Sequence, residues 1–199
     1  MKLDGNTVCN LGPCGALGAG NLPGSVNSSG FDFGTGLGSI MFTISGAGSH
    51  SAGFYVDHEI DEAINTFFNE YGSVQGSPVA GQSWEIDEPG FVFGDIFSNF
   101  TNGTLDNSNG VPAGSPDDVA MSLAWGFLLN PGEVATLNFL IAQIPPVSGF
   151  YLTQTDPDSQ ESIYFYSNLT ISGGSGAVPE PGILFLFGIG LLGWRVIRM

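Results

Sequence analysis

The chain has 199 residues, with 19 acidic side chains against three Lys and Arg and a formal net charge of −16. That length suits one well-packed domain, and a surface this acidic repels phosphates, which excludes nucleic-acid binding, and offers no basic patch to anionic lipid. Only 11% of residues are charged, so Ser, Thr, Asn and Gln supply the polarity; with 31 Gly and 16 Phe the composition resembles that of a secreted β-protein.

Residues 1–30 are rich in Gly, Asn and Ser, show no sustained hydrophobic period and are expected to be irregular. Lys2 resembles the start of a secretory n-region, but the following LDGNTVCN is no apolar h-region. An exported fate therefore leads us to expect a coding start upstream of Met1 or a leader lost from the chain; the alternative is a body that stays inside the cell. Cys9 and Cys14 lie in CNLGPC, a short loop that would close as a disulfide in an oxidising compartment. A metal pair would need two more soft ligands, and neither His50 nor His58 has a partner at ligand spacing. Two thiols that never meet are the third reading.

Strand signals begin at Phe31 and continue through SIMFTISG to Gly46, then GFYVDHEI, Gly53 to Ile60, reads as a second strand. In IDEAINTFFNEYG, Ile60, Ile64, Phe67, Phe68 and Tyr71 fall at helical spacing, with Asp61 and Glu62 in the first turn and Gly72 as a stop. One helix is expected there, although Thr66, Phe67, Phe68 and Tyr71 also suit a strand. Gly72 to Gly81 reads as loop, SWEIDE as a short strand and FVFGDIF as a further apolar run. Thr101 to Asp118 is built from turn formers and is expected on the surface. VAMSLAWGFLL and EVATLNFLIAQI, joined by Asn130-Pro131-Gly132, read as a paired hairpin, and GFYLTQT and SIYFYSNLTIS as two more strands around Asp156-Pro157-Asp158. Short strands with turn signals between them, and no alternating βαβ units, predict a mainly β fold: an antiparallel β-sandwich over residues 31–171, with one short helix and a C-terminal transmembrane helix. Residues 172–178 form a Gly/Ser spacer.

The tail, 179–199, has its own physics. Pro179 and Pro181 hold its entry extended. Ile183 to Trp194 carries no charge, and Arg195 and Arg198, two of the three basic residues of the chain, end it. As a helix, Gly182 to Met199 would be about 27 Å long, just short of a hydrocarbon core of about 30 Å. Trp194 sits where an interfacial aromatic belongs, and the arginines predict a cytoplasmic C-terminus. An apolar core element is the competing reading, disfavoured because the run is apolar on every face.

Val178, Pro179, Glu180 and Pro181, then a short apolar run, then arginine at the extreme end: this segment, through Arg198, resembles the PEP-CTERM sorting signal of Gram-negative bacteria. Its arginines stand singly where that signal has a dense basic cluster. VDHEIDEAINTFFNEYG, QSWEIDEPG and GFYLTQTDPDS resemble, more loosely, bodies that carry such tails. The resemblance implies export, an exosortase as partner, passage through the inner membrane and cleavage near the Pro-Glu-Pro triplet. It also implies a product at the cell surface or in the extracellular polymer matrix.

Chemistry-bearing clusters are few. DHEIDE, Asp57 to Glu62, packs four carboxylates around one His but is not HExxH; a glycosidase-like acid pair competes with a solvated acidic edge. DNSNG and DPDSQE offer hard oxygens for Ca²⁺ at Asp106, Asp156, Asp158 and Glu161, or form ordinary turns; neither has EF-hand spacing, and Pro116-Asp117-Asp118 belongs with them. GTGLG, Gly34 to Gly38, lacks the helix and acid of a dinucleotide site. Tyr151, Tyr164 and Tyr166 would build either a sugar-stacking surface or cross-strand and core pairs. The leading expectation is a non-enzymatic envelope or matrix protein, with no obligate cofactor, associated with exopolysaccharide. A carbohydrate-binding or calcium-dependent adhesion module and a hydrolase using Glu59 are the alternatives.

Overall fold

Alternation along single strands explains the two layers. In Glu133–Ala142, Ala135, Leu137, Phe139 and Ile141 are buried while Thr136, Asn138 and Leu140 point outward, so one face of the strand seals a core and the other meets solvent. Leu37–Ser45 does the same with Ile40, Phe42 and Ile44. The computed structural model describes residues 1–7, 22–61 and 66–174. Its strands are β1 (Lys2–Leu3), β2 (Asn6–Thr7), β3 (Val26–Asp32), β4 (Leu37–Ser45), β5 (Gly48–Asp57), β6 (Tyr71–Gln75), β7 (Gln82–Asp87), β8 (Ala120–Leu129), β9 (Glu133–Ala142), β10 (Tyr151–Thr155) and β11 (Ser162–Gly173). They form a five-stranded sheet, β2-β1-β5-β8-β7, and a six-stranded sheet, β3-β4-β9-β11-β10-β6. Every pairing of named strands is antiparallel.

The core lies between the sheets. Phe139 meets the rings of Phe42, Phe54 and Phe165 at centroid distances of 5.4, 6.1 and 6.3 Å. Each fully buried ring of this kind contributes roughly 1.5–3 kcal/mol relative to an exposed one. Near one end the sheets touch backbone to side chain: a methyl group at Gly72 on β6 would overlap Ile86 Cγ2 on β7.

Several expectations are corrected. Among the described residues of the stretch Ile60 to Gly72, where a helix is expected, no α-helix stands; residues 62–65 lie outside them. Asp61 stands at φ 60°, outside helical geometry; Phe67–Asn69 is a single 3₁₀ turn capped by Thr66, and Tyr71 enters β6, whose register with β10 runs from Tyr71↔Thr155 to Gln75↔Tyr151. The pairing energy of that edge strand overrides a local helical period. The α-helix of the described residues is α1, Ile96–Asn102, inside and beyond the FVFGDIF run. It buries Ile96 and Phe100 and ends on Gly103 at φ 77°, the left-handed cap that glycine adopts freely.

Nor do β8 and β9 pair. The Asn130-Pro131-Gly132 turn carries the chain from one sheet to the other, with β8 held between β5 and β7 and β9 between β4 and β11. Both runs are apolar on one face, and stacking those faces buries more than laying them edge to edge. Part of the 1–30 segment is regular, since β1, β2 and most of β3 lie there. The 101–118 segment is only partly surface: Leu105 and Val111 are buried. β11 runs to Gly173, paired with Glu133, so the first residues of the spacer are strand. Among the described residues no helix is long and apolar enough to cross a membrane; the transmembrane expectation falls on the tail, outside the described residues.

Candidate functional site

Strand registers give the sandwich two unlike poles. At one, the β8–β9 turn, the β4–β5 turn and the end of β11 come together, as Ser45↔Val134, Gly48↔Leu129 and Gly173↔Glu133 require. Gly174 N donates to Gly132 O there, so the segment leading to the tail leaves from this pole. The opposite pole gathers the ends of β5 and β7, the start of β8 and the β10–β11 turn, through Asp57↔Ala120, Asp87↔Ala120 and Thr155↔Ser162. Most of the carboxylates of the body lie at this second pole.

Two groups of acids converge there, each with ligand oxygens within 4.8 Å of one another: Asp57, Glu59 and Asp118, and Glu85, Asp87 and Asp95. These are the described residues that offer a hard cation several oxygens at once. In the first group, desolvation and then the charge of Asp118 push the Asp57 carboxyl up to about 6. Asp118 is pushed up to about 6 as well, by desolvation and then by Asp117 and Glu88. Asp118 Oδ1 is buried without a hydrogen-bond partner. His58, in the centre of DHEIDE, faces backbone carbonyls with both nitrogens, Glu59 O at 3.2 Å and Thr35 O at 2.8 Å. The histidine ties the β3–β4 turn to the end of β5.

The second group sits under α1. Glu85 is 1% exposed; Asn99 Nδ2 donates to Glu85 Oε1 at 3.0 Å and to Asp95 Oδ1 at 2.9 Å, and Asp106 N donates to Glu85 Oε2. Desolvation, followed by the charges of Asp106 and Asp95, pushes Glu85 up to about 7 against those bonds. Asp87 Oδ2 accepts the Asp95 N–H at 2.7 Å, which fixes the entry to α1.

Between the layers, Glu70 and Gln154 are both fully buried. Glu70 Oε1 accepts the Ile60 N–H at 2.8 Å, and Gln154 Nε2 donates to Glu70 Oε2 and to His58 O. Burial pushes Glu70 up to about 7, outweighing these bonds. Neither Glu70 nor Glu85 stands out in the sequence. The signal for Glu85 was a capped helix read as an apolar run, because only α1 makes its face of β7 an interior.

The expected calcium ligands do not converge. Asp106 lies beside Glu85 and caps Ser108 N through Oδ1. Asp156 and Asp158 share the Asn69 amide, and Asp156 Oδ1 accepts Asp158 N and Ser159 N as a turn cap. Glu161 closes the same turn through its backbone, its carbonyl accepting Asp156 N. Cys9, Cys14, Val178, Pro179, Glu180, Pro181, Trp194, Arg195 and Arg198 lie outside the described residues.

Tyr151, Tyr164 and Tyr166 are half-buried and point out of the six-stranded sheet, since Leu152 and Phe165, their neighbours on the strands, are buried inward. Tyr151 stands directly across from Tyr166 and meets Tyr164 edge to face at 5.9 Å. The rings pair across strands on the outer face of the sheet and are not part of the core.

Fold and sites together define an acidic, two-sheet, mainly β body whose charged groups chiefly hold loops. Residues 177–198 match the family described as the PEP-CTERM protein-sorting motif; the chain carries that sorting signal. Such a motif implies recognition by an exosortase, a membrane-associated processing enzyme, and a secreted protein directed to the cell envelope. No curated protein and no solved structure matches the chain.

Proposed function

We propose that this chain is a non-enzymatic envelope or extracellular-matrix protein, cleaved near Pro179 to Pro181 after passage through the inner membrane. The sorting motif at residues 177–198 carries this reading. The engagement of His58 with two backbone carbonyls supports its non-enzymatic part, because it ties the imidazole of DHEIDE into structural contacts. The test is deletion of Val178 to Met199 with localisation and intact-mass measurement in an exosortase-bearing host. The body should stay unprocessed and mislocalised; unchanged localisation overturns the proposal.

A second reading, a calcium-dependent adhesion module, is favoured by the Asp57, Glu59 and Asp118 group. Millimolar Ca²⁺ should then raise the melting temperature and Asp57→Asn should abolish the rise. No shift overturns it.

A further inference from the structure

The two sheets differ on their outer faces. On the five-stranded sheet, α1 lies over the outward positions, with Phe97 and Phe100 against Tyr55 at 5.8 and 5.9 Å. The outer face of the six-stranded sheet has no described helix on it. Of the five tyrosines in the chain, every one but Tyr55 faces outward there: Tyr71 opposite Thr155, Tyr164 opposite Thr153, and Tyr151 opposite Tyr166.

The chemistry of the rest of that face is equally one-sided. Along β4, β6, β9, β10 and β11 no outward position holds a charged side chain. Hydroxyls and amides predominate, with Asn168 opposite Asn138 and Thr170 opposite Thr136, and Met41 and Leu140 stand among them. In a chain of net charge −16, the acidic surroundings of this strip repel polyanions, and the strip itself offers no charge to pair with an ionic polymer. The edge-to-face arrangement of Tyr151 and Tyr164 is a stable ring pair. Strands spaced about 4.8 Å apart set Tyr151 and Tyr166, directly opposite each other on β10 and β11, at an interval close to the width of a pyranose ring, while Tyr71 stands at the other end of β10, opposite Thr155.

We propose that this face binds a neutral polysaccharide, its sugar rings lying on the tyrosines and its hydroxyls bonded to the surrounding Ser, Thr, Asn and Gln side chains. The proposal rests on the envelope reading above and names the polymer class that reading leaves open. The site lies on the side of the sandwich, away from the pole at which the described chain ends at Gly174.

The test uses the full chain in a sugar-free detergent. Nitration by tetranitromethane, mapped by mass spectrometry, is compared with and without soluble neutral glucan and mannan oligosaccharides and with alginate. Neutral glycan should protect Tyr71, Tyr151, Tyr164 and Tyr166 while alginate leaves them reactive. In affinity electrophoresis, Tyr166→Ala should weaken retention by a neutral glycan about tenfold and Tyr166→Phe should preserve it. Absence of protection by every neutral glycan, or equal protection by alginate, overturns the proposal. So does protection that grows with protein concentration alone, which would place a second copy on the face. Localisation and processing of Tyr166→Ala are scored in parallel: normal delivery with lost glycan binding supports the proposal, and normal delivery with no glycan binding in the unmodified chain sinks this site while the envelope reading stands.

Discussion

Gln154 donates from its side-chain amide to the Glu70 carboxylate, and both residues are fully buried. The pair joins β10 to the segment that enters β6, and Glu70 in turn holds the Ile60 N–H. Replacing Gln154 by Leu leaves an ionised Glu70 oxygen without that donor. At pH 8 the Gln154→Leu chain should lose about 1.5–3 kcal/mol of stability in urea unfolding. At pH 5, where Glu70 is protonated, the loss should shrink; an equal loss at both pH values would show that the carboxylate is not what the amide serves.

The pH dependence of the whole chain should run against the usual direction. Glu70 and Glu85 rise from 4.5 to about 7 in the folded state, and Asp57 and Asp118 rise from 3.8 to about 6. Between about 4 and 7 the folded state therefore binds more protons than the unfolded one, so stability falls as pH increases through that window. The melting temperature should be higher at pH 5 than at pH 8, by about 2–4 °C for each kcal/mol these groups contribute. A flat or rising profile would contradict the burial of these carboxyls.

Phe139 meets Phe42 and Phe165 on the neighbouring strands of its own sheet and Phe54 across the layers. Phe139→Ala should cost about 3–5 kcal/mol, measured by chemical denaturation. A cost near that of a surface substitution would mean the sheets do not stack on this residue.

A carbon added at Gly72 on β6 would overlap the Ile86 side chain on β7, across the layers. Gly72→Ala should destabilise by about 1–3 kcal/mol through overpacking. Adding Ile86→Val should recover part of the loss, since it removes one of the methyl groups crowding the added carbon. Additive losses in the double variant would argue against that contact.

Asn99 holds Glu85 and Asp95 together through one amide nitrogen. Asn99→Leu should destabilise by about 1–3 kcal/mol at pH 8 and much less at pH 5, with loss of α1 helicity by circular dichroism. Unchanged stability at pH 8 would show that the bridge carries no weight.

The strands with one-sided alternation, β4, β9 and β11, could be read from the chain because burial on one face imposes a period of two on each strand separately. The sorting motif was legible for a similar reason: VPEP, an uncharged run and terminal arginines are consecutive residues. What stayed hidden depends on residues far apart in sequence. β6 is a strand because β10 pairs with it, and its local helical spacing carries no record of that partner. Whether β8 pairs with β9 or stacks over it is decided by β5 and β4, which compete for the same edges. Glu85 looks like any polar strand residue until α1 covers it. The sequence alone determined the class of fold and the destination, through local periodicity and a contiguous signal. Tertiary structure decided which acids are buried and which tyrosines share a face, because both follow from the pairing of distant strands.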